Sequence, residues 1–236
     1  HGTHVSGIIA ASANNGVGVA GIAWGCKIMP LRAGFVVASG GAFLQDDDVS
    51  AAIVYAADNG AKVINMSWGD SVDSFVIHDA VEYAYHRGCV LVGAAGNSHT
   101  AGALYPAALK TVLAVAATEQ DNTLAFVSNF GASVDIAAPG SAILSTQLNN
   151  TYGVLSGTSM AAPHVTGVAA LLLSQRPDLS NEDVRRILIA TARPIADNRL
   201  VGAGLLNAEA ALQSIGGFDG LNPADFDKLN PADLIA

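Results

Sequence analysis

Five short runs of β-branched and small apolar residues, "KIMPLRA", "AKVINMSWG", "CVLVGAAGN", "TVLAVAAT" and "VDIAAPG", recur along the chain with amphipathic or small-residue stretches between them. Apolar runs of this length, separated by helical patterns, point to parallel strands buried on both faces, because the connections between parallel strands carry helices across the sheet. The stretch "QDDDVSAAIVYAADNG" predicts an exposed helix, with Asp46, Asp47 and Asp48 at its positive end, Val49, Ala52, Ile53 and Ala56 on one face, and Gly60 as its stop. "SFVIHDAVEYAYHRG" predicts a second surface helix with Val76, Ala80, Val81 and Ala84 inward. By contrast, "SMAAPHVTGVAALLLSQRP" is small or apolar nearly all round until Ser174, which predicts a helix in the middle of the domain, with Pro163 tolerated in its first turn. "LSNEDVRRILIATA" adds an amphipathic helix capped by Ser180, with Asp183 three residues on.

A chain of 236 residues with 51% apolar content can bury one sizeable core, and no linker or charge block divides it. We expect one domain over residues 1–215. From 216 to 236 the chain turns rich in Gly, Pro and Asp and repeats "LNPAD", which fits a flexible tail or the start of a further module. In this segment Asp219, Asn222 and Asp225 lack the order of a calcium loop. Twenty acidic against eleven basic residues leave a net charge of −9, so no electrostatic footprint for nucleic acid or an anionic membrane exists, and the apolar runs fall short of a membrane span. Cys26 and Cys89 sit beside strand-like runs and read as small core residues.

Three stretches carry candidate chemistry. In "SGTSMAAPHV", Gly157 and Thr158 lead into Ser159 at the start of the buried helix, where free backbone N–H groups and the positive helix end stabilise developing negative charge. Such a serine is either an N-cap or a nucleophile, and a nucleophile needs a base because its hydroxyl is barely ionised at neutral pH. His164 is rotated roughly 140° around that helix from Ser159, and His78, His86 and His99 fall in surface patterns. His1 and His4 of "HGTHVSG" remain, and His1 is the better placed. A zinc pair at this i, i+3 spacing is the weaker reading, since no glutamate or third histidine accompanies it. In "VGAAGNS", Asn97 either belongs to a turn or donates its amide to an oxyanion, with small Ala94, Ala95 and Gly96 leaving room for a substrate side chain.

In this order and at these separations, "HGTHVSG", "AAGN" and "GTSMAAPHV" resemble the subtilisin-like serine peptidases, the subtilases, over residues 1–215. The resemblance implies a three-layer α/β fold with a mostly parallel sheet between helices. It implies His1 as general base, Ser159 as nucleophile, and the Asn97 amide with the Ser159 backbone N–H as oxyanion hole. It also implies that Ser67, Trp68 and Gly69 form an edge that pairs with an extended peptide, with Gly40 to Leu44 opposite, and that Leu104 floors the pocket for the residue before the cut. In "SANNGVGVAG" it implies a calcium loop, with the Asn15 side chain and the carbonyls of Ala13, Val17 and Val19 as candidate ligands.

The family order is Asp, His, Ser, with the Asp upstream of the histidine. No Asp-Thr-Gly or Asp-Ser-Gly occurs here, and Asp135 and Asp197 fall in regions the family uses for structure. The expectation is therefore an N-terminally truncated domain that lacks one or more strands and has little or no turnover, low stability and exposed sheet edges. Its parent is expected to be a secreted, monomeric endopeptidase acting on peptides and proteins without a catalytic cofactor. A noncatalytic scaffold domain is the alternative. An α/β-hydrolase esterase is set aside because Ala161 stands where its motif requires glycine and no suitable histidine follows.

Overall fold

The computed structural model describes residues 1–38, 42–195, 201–216 and 234–235. Its centre is a six-stranded sheet in the order β1-β10-β4-β5-β6-β7, parallel at every pairing. The strands are β1 (Lys27–Ile28), β4 (Ala61–Met66), β5 (Val90–Ala94), β6 (Val112–Thr118), β7 (Ile136–Pro139) and β10 (Leu234–Ile235). Two antiparallel hairpins lie outside it, β2 (Gly34–Val36) with β3 (Ala42–Leu44), and β8 (Ile143–Gln147) with β9 (Thr151–Leu155). The second turns through Asn149 and Asn150, both with positive φ, a conformation asparagine tolerates better than most residues.

Alternation along the strands decides which helix meets which face. Val63 of β4 and Val90 and Val92 of β5 belong to the core shared with α1 (Gly2–Ala10), α4 (Thr158–Gln175), α5 (Asn181–Ala190) and α6 (Ala208–Ser214). Ile64, Met66 and Leu91 point the other way, into the core shared with α2 (Asp46–Asp58) and α3 (Phe75–His86). The result is helix, sheet, helix in three layers. Helix α4 is buried nearly all round, as its sequence requires, and Pro163 sits in its first turns. At α5 the Ser180–Asp183 capping box is formed.

Three details differ from the sequence reading. Strand β1 ends at Ile28, short of the full "KIMPLRA" run, where Pro30 has no N–H to offer a ladder. Val76 lies on the outer side of α3 and is exposed, while Ile77 packs against the core in its place. The sheet position between β1 and β4 is taken by β10, which pairs with both neighbours, so part of the segment read as a tail is a strand. Residues 217–233, with the possible calcium spacing, lie outside the described residues, as do Asp197 and Gly40.

The cysteines form no disulfide: Cys26 is half-buried against the core, whereas Cys89 is buried with its thiol on the Ala61 carbonyl at 3.2 Å, and burial pushes that thiol up to about 11. Asp135 is structural as well. It receives the Ala114 N–H at 2.8 Å and pairs with Arg185 at 2.9 Å, and burial still holds its carboxyl above the ordinary range.

Candidate active site

Strands β4 and β5 pair with Met66 opposite Gly93, so the segments leaving their carboxyl ends, Ser67–Gly69 and Ala95–Asn97, emerge side by side. In open α/β sheets this end is where ligands bind. The N-terminus of α4 is fastened to both segments. Ser67 Oγ donates to the Ser159 carbonyl and Ser159 Oγ donates to the Ser67 carbonyl, each at 3.0 Å. Asn97 Oδ1 accepts the Thr158 N–H at 2.8 Å and the Thr158 hydroxyl at 3.0 Å.

These bonds bear on the local geometry of two of the sequence candidates. The N-cap of α4 is Gly157, at φ 144°, so Ser159 lies inside the first turn with a hydroxyl that caps nothing. Because the Asn97 oxygen faces a backbone N–H, which can only donate, its Nδ2 is turned outward on an exposed side chain. A serine hydroxyl at a helix N-terminus next to an amide donor is an arrangement that can accept charge on a substrate oxygen.

His1 is the N-cap of α1, exposed, with no side-chain capping bond. Helix α1 packs against α4 and against the β8–β9 hairpin. His4 Nε2 lies 3.1 Å and 3.0 Å from the Ile143 and Gly153 carbonyls on the hairpin that leads into α4. Further along, the Ile8 carbonyl accepts the Ile22 N–H, and the Ile22 side chain fills the space over Gly167. His1 stands at the N-terminus of α1 and Ser159 in the first turn of α4. No hydrogen bond joins them, the Ser159 hydroxyl being turned to Ser67, and among the described residues no carboxylate pairs with His1.

The other histidines have other partners. His4 is buried with Nδ1 unpartnered and Nε2 serving the two carbonyls, and among the described residues no cluster suits a metal ion. His164 Nδ1 donates to the Met160 carbonyl at 2.8 Å, and burial holds the ring below its ordinary pKa. His78 lies against Asp73, His86 near Glu82, and His99 stacks on Phe126.

Ala94 and Ala95 are buried, and the Leu104 side chain sits between Gly69 and Gly96. A Cβ on Gly96 would stand 2.8 Å from Leu104 Cγ, and one on Gly69 would stand 3.0 Å from Leu104 Cβ, so both glycines are the space that Leu104 fills. Asn15 stands apart, in the 13–19 loop, its Oδ1 accepting the Val17 N–H at 3.0 Å.

Sequence reasoning missed the residues that hold the site. Thr158 accepts the Gly96 N–H at 3.1 Å while fixing Asn97. Asn129, buried, donates to the Ala95 and Gly102 carbonyls, both at 3.1 Å, and accepts the Ser98 N–H at 2.9 Å, which ties down the loop carrying Asn97 and Leu104. Thr166 donates to Asn65 at 2.9 Å, and Asn65 donates to Ser67 at 2.9 Å, linking the middle of α4 to the bond on Ser159. Thr158 alone carried a signal, its place directly before the serine.

Comparison with known proteins bears on this geometry. The Subtilase family profile matches residues 1–204.

The chain belongs to the subtilase family.

It is 45% identical over 196 residues to a thermophilic serine proteinase of Bacillus sp. (strain AK1), covering 83% of this chain and 47% of that protein. To thermitase of Thermoactinomyces vulgaris it is 44% identical over 214 residues, 90% of this chain and 75% of that one. Among solved structures, a protease from Pseudoalteromonas arctica PAMC 21717 superposes with a TM-score of 0.83 at 35% identity, covering 89% of this chain and 69% of that one. This subtilase chain thus spans about half the length of the first relative and three quarters of the second. The three-layer α/β architecture is the subtilisin-like fold.

Proposed function

We propose that this subtilase chain is the core of a serine endopeptidase that cleaves peptide bonds through an acyl-enzyme on Ser159. The observation that carries this reading is the Asn97 side chain, pinned by Thr158 so that its Nδ2 stands free beside the first turn of α4. In the mechanism, Ser159 Oγ turns from the Ser67 carbonyl, attacks the scissile carbonyl and passes its proton to the His1 imidazole. The oxyanion receives the Asn97 amide and the Ser159 backbone N–H. The imidazolium then protonates the leaving amine, and a water repeats the sequence to release the acid. The carboxylate that orients His1 is supplied from sequence upstream of residue 1. A noncatalytic scaffold is the second reading, favoured by the lack of a carboxylate partner for His1 among the described residues. Hydrolysis of a peptide by a chain extended upstream with an Asp-bearing strand, lost on Ser159→Ala, supports the peptidase; an extended chain that binds peptides without cleaving them supports the scaffold.

The substrate lies extended along Ser67, Trp68 and Gly69, with Leu104 making a shallow pocket for the residue before the cut. Peptides with leucine or methionine there are expected to be cleaved faster than those with phenylalanine or tyrosine, measured as kcat/KM; a preference for the large aromatics contradicts the pocket. No helix among the described residues is long and apolar enough to cross a membrane. We place the protein outside the cell as a monomer, on the family resemblance.

Calcium fits the 13–19 loop as a structural ion. Asn15 offers its side-chain oxygen, and among the described residues the Ala13, Val17 and Val19 carbonyls accept no hydrogen bond, which leaves hard oxygen donors unspent. At calcium about 100-fold above Kd the linkage is worth about 2.7 kcal/mol. That is a rise in Tm on the order of 5–10 °C for a chain of this size. The rise should vanish in Asn15→Ala; an equal rise in that variant places the ion elsewhere.

A further inference from the structure

The β8–β9 hairpin makes contacts that the proposed chemistry does not use. One end of it is joined to α4: only Ser156 and Gly157 separate β9 from the helix that carries Ser159. The Ser156 hydroxyl accepts the Ala142 N–H at 2.9 Å and the Gly157 N–H donates to the Gly140 carbonyl at 2.8 Å, which ties this junction back to the start of β8. The hairpin is also fastened to the first turns of α1. Buried His4 points Nε2 at the Ile143 carbonyl of β8 and the Gly153 carbonyl of β9. Carbonyls only accept, so Nε2 carries the proton and shares it between the two strands. In return, Ser145 Oγ donates to the His4 carbonyl and Thr146 Oγ1 to the Thr3 carbonyl, each at 2.8 Å. Gly7, about one turn on, lies so close to the hairpin that a Cβ would collide with both hydroxyls.

We propose that His4 is a positioning residue for the base: by pinning the first turn of α1 to the hairpin, it sets where the His1 imidazole stands. The proposal rests on the peptidase reading, in which His1 takes the proton of Ser159. His1 is exposed and has no side-chain capping bond, so its place is inherited from the backbone of the turn that it begins. That turn is closed by the Val5 N–H on the His1 carbonyl at 3.0 Å, and the buried polar side chain in it is His4. A first helical turn has unpaired N–H groups and little of its own to hold it, so the hairpin bonds decide how far it moves. The same hairpin leads into Ser159, and one imidazole therefore fixes base and nucleophile to a common element. An apolar side chain in place of His4 would occupy the space and withdraw the donor from two carbonyls.

The test is kinetic and runs through His1. In the chain extended upstream with an Asp-bearing strand, His4→Leu is expected to slow single-turnover acylation by an activated ester about 10²-fold, the cost of a misplacement of about 1 Å, with KM for peptide unchanged. His4→Gln, whose amide nitrogen can donate from the place of Nε2, should recover most of that loss; His4→Asn, whose nitrogen stands at the place of Nδ1, should not. Ser145→Ala withdraws a bond from the same turn, should slow acylation by a smaller factor, and carries the test should His4→Leu fail to fold. The deciding readout is the cycle with His1→Ala. Once the base is gone, His4→Leu should cost nothing further in the residual rate, because His4 acts through His1. A loss of equal size with and without His1 overturns the proposal and makes His4 a residue of general structure. Unchanged acylation in folded His4→Leu also overturns it and leaves the peptidase reading standing. An extended chain with no acylation at Ser159 overturns that reading and the proposal with it.

Discussion

Asn97→Ala is expected to lower kcat by about 10²–10³ with little change in KM, by analogy with subtilisin, where loss of one oxyanion-hole donor costs about 2.7–4 kcal/mol. The reason lies in how the side chain is held. Its oxygen is occupied by the Thr158 N–H and hydroxyl, so the amide nitrogen cannot swing away to another partner and is aimed before substrate arrives. A donor fixed in this way acts on charge that exists only in the transition state, which is why kcat falls and ground-state binding does not. Steady-state kinetics in an Asp-bearing background separate the two parameters. A variant whose KM rises with kcat intact would show that Asn97 positions substrate and leaves the oxyanion to other groups.

The second large effect concerns His1. With no carboxylate beside it among the described residues, its imidazole has nothing to fix its tautomer and nothing to stabilise the imidazolium formed on attack. The 236-residue chain is therefore expected to turn over peptide about 10⁴-fold more slowly than one extended upstream with an Asp-bearing strand, the order of loss seen when a triad aspartate is neutralised. Single-turnover acylation with an activated ester measures both. Equal rates with and without the carboxylate would contradict the role given to His1. The same extension should compete with β10 for the position between β1 and β4, where the present pairing is only two residues long.

Much of this was legible in the sequence for a physical reason. Parallel strands buried on both faces, such as β5 and β6, are apolar end to end, and a helix buried all round, such as α4, lacks a polar face; these patterns are local. Motifs at turns were legible too, since few residue types can stand where Gly157 has φ 144° or where Gly96 meets Leu104. What stayed hidden are polar residues whose partners are distant in sequence. Asn129 bonds across about thirty residues and Thr166 reaches Asn65 across a hundred, so neither has a local pattern. The hairpin β8–β9 was missed because its turn depends on two asparagines that look like any polar loop. Val76 was misplaced because two neighbouring apolar residues, Val76 and Ile77, competed for one inward position, and periodicity alone does not choose between them.

Every step of the proposed chemistry requires Ser159 to be an activated nucleophile. A fluorophosphonate reagent, applied to the chain extended upstream with an Asp-bearing strand and followed by peptide mass mapping, tests this directly. A single adduct on Ser159 is expected, absent in His1→Ala and much slower in Asn97→Ala. An extended, folded chain that leaves Ser159 unlabelled would contradict the nucleophile role and make this subtilase domain a scaffold.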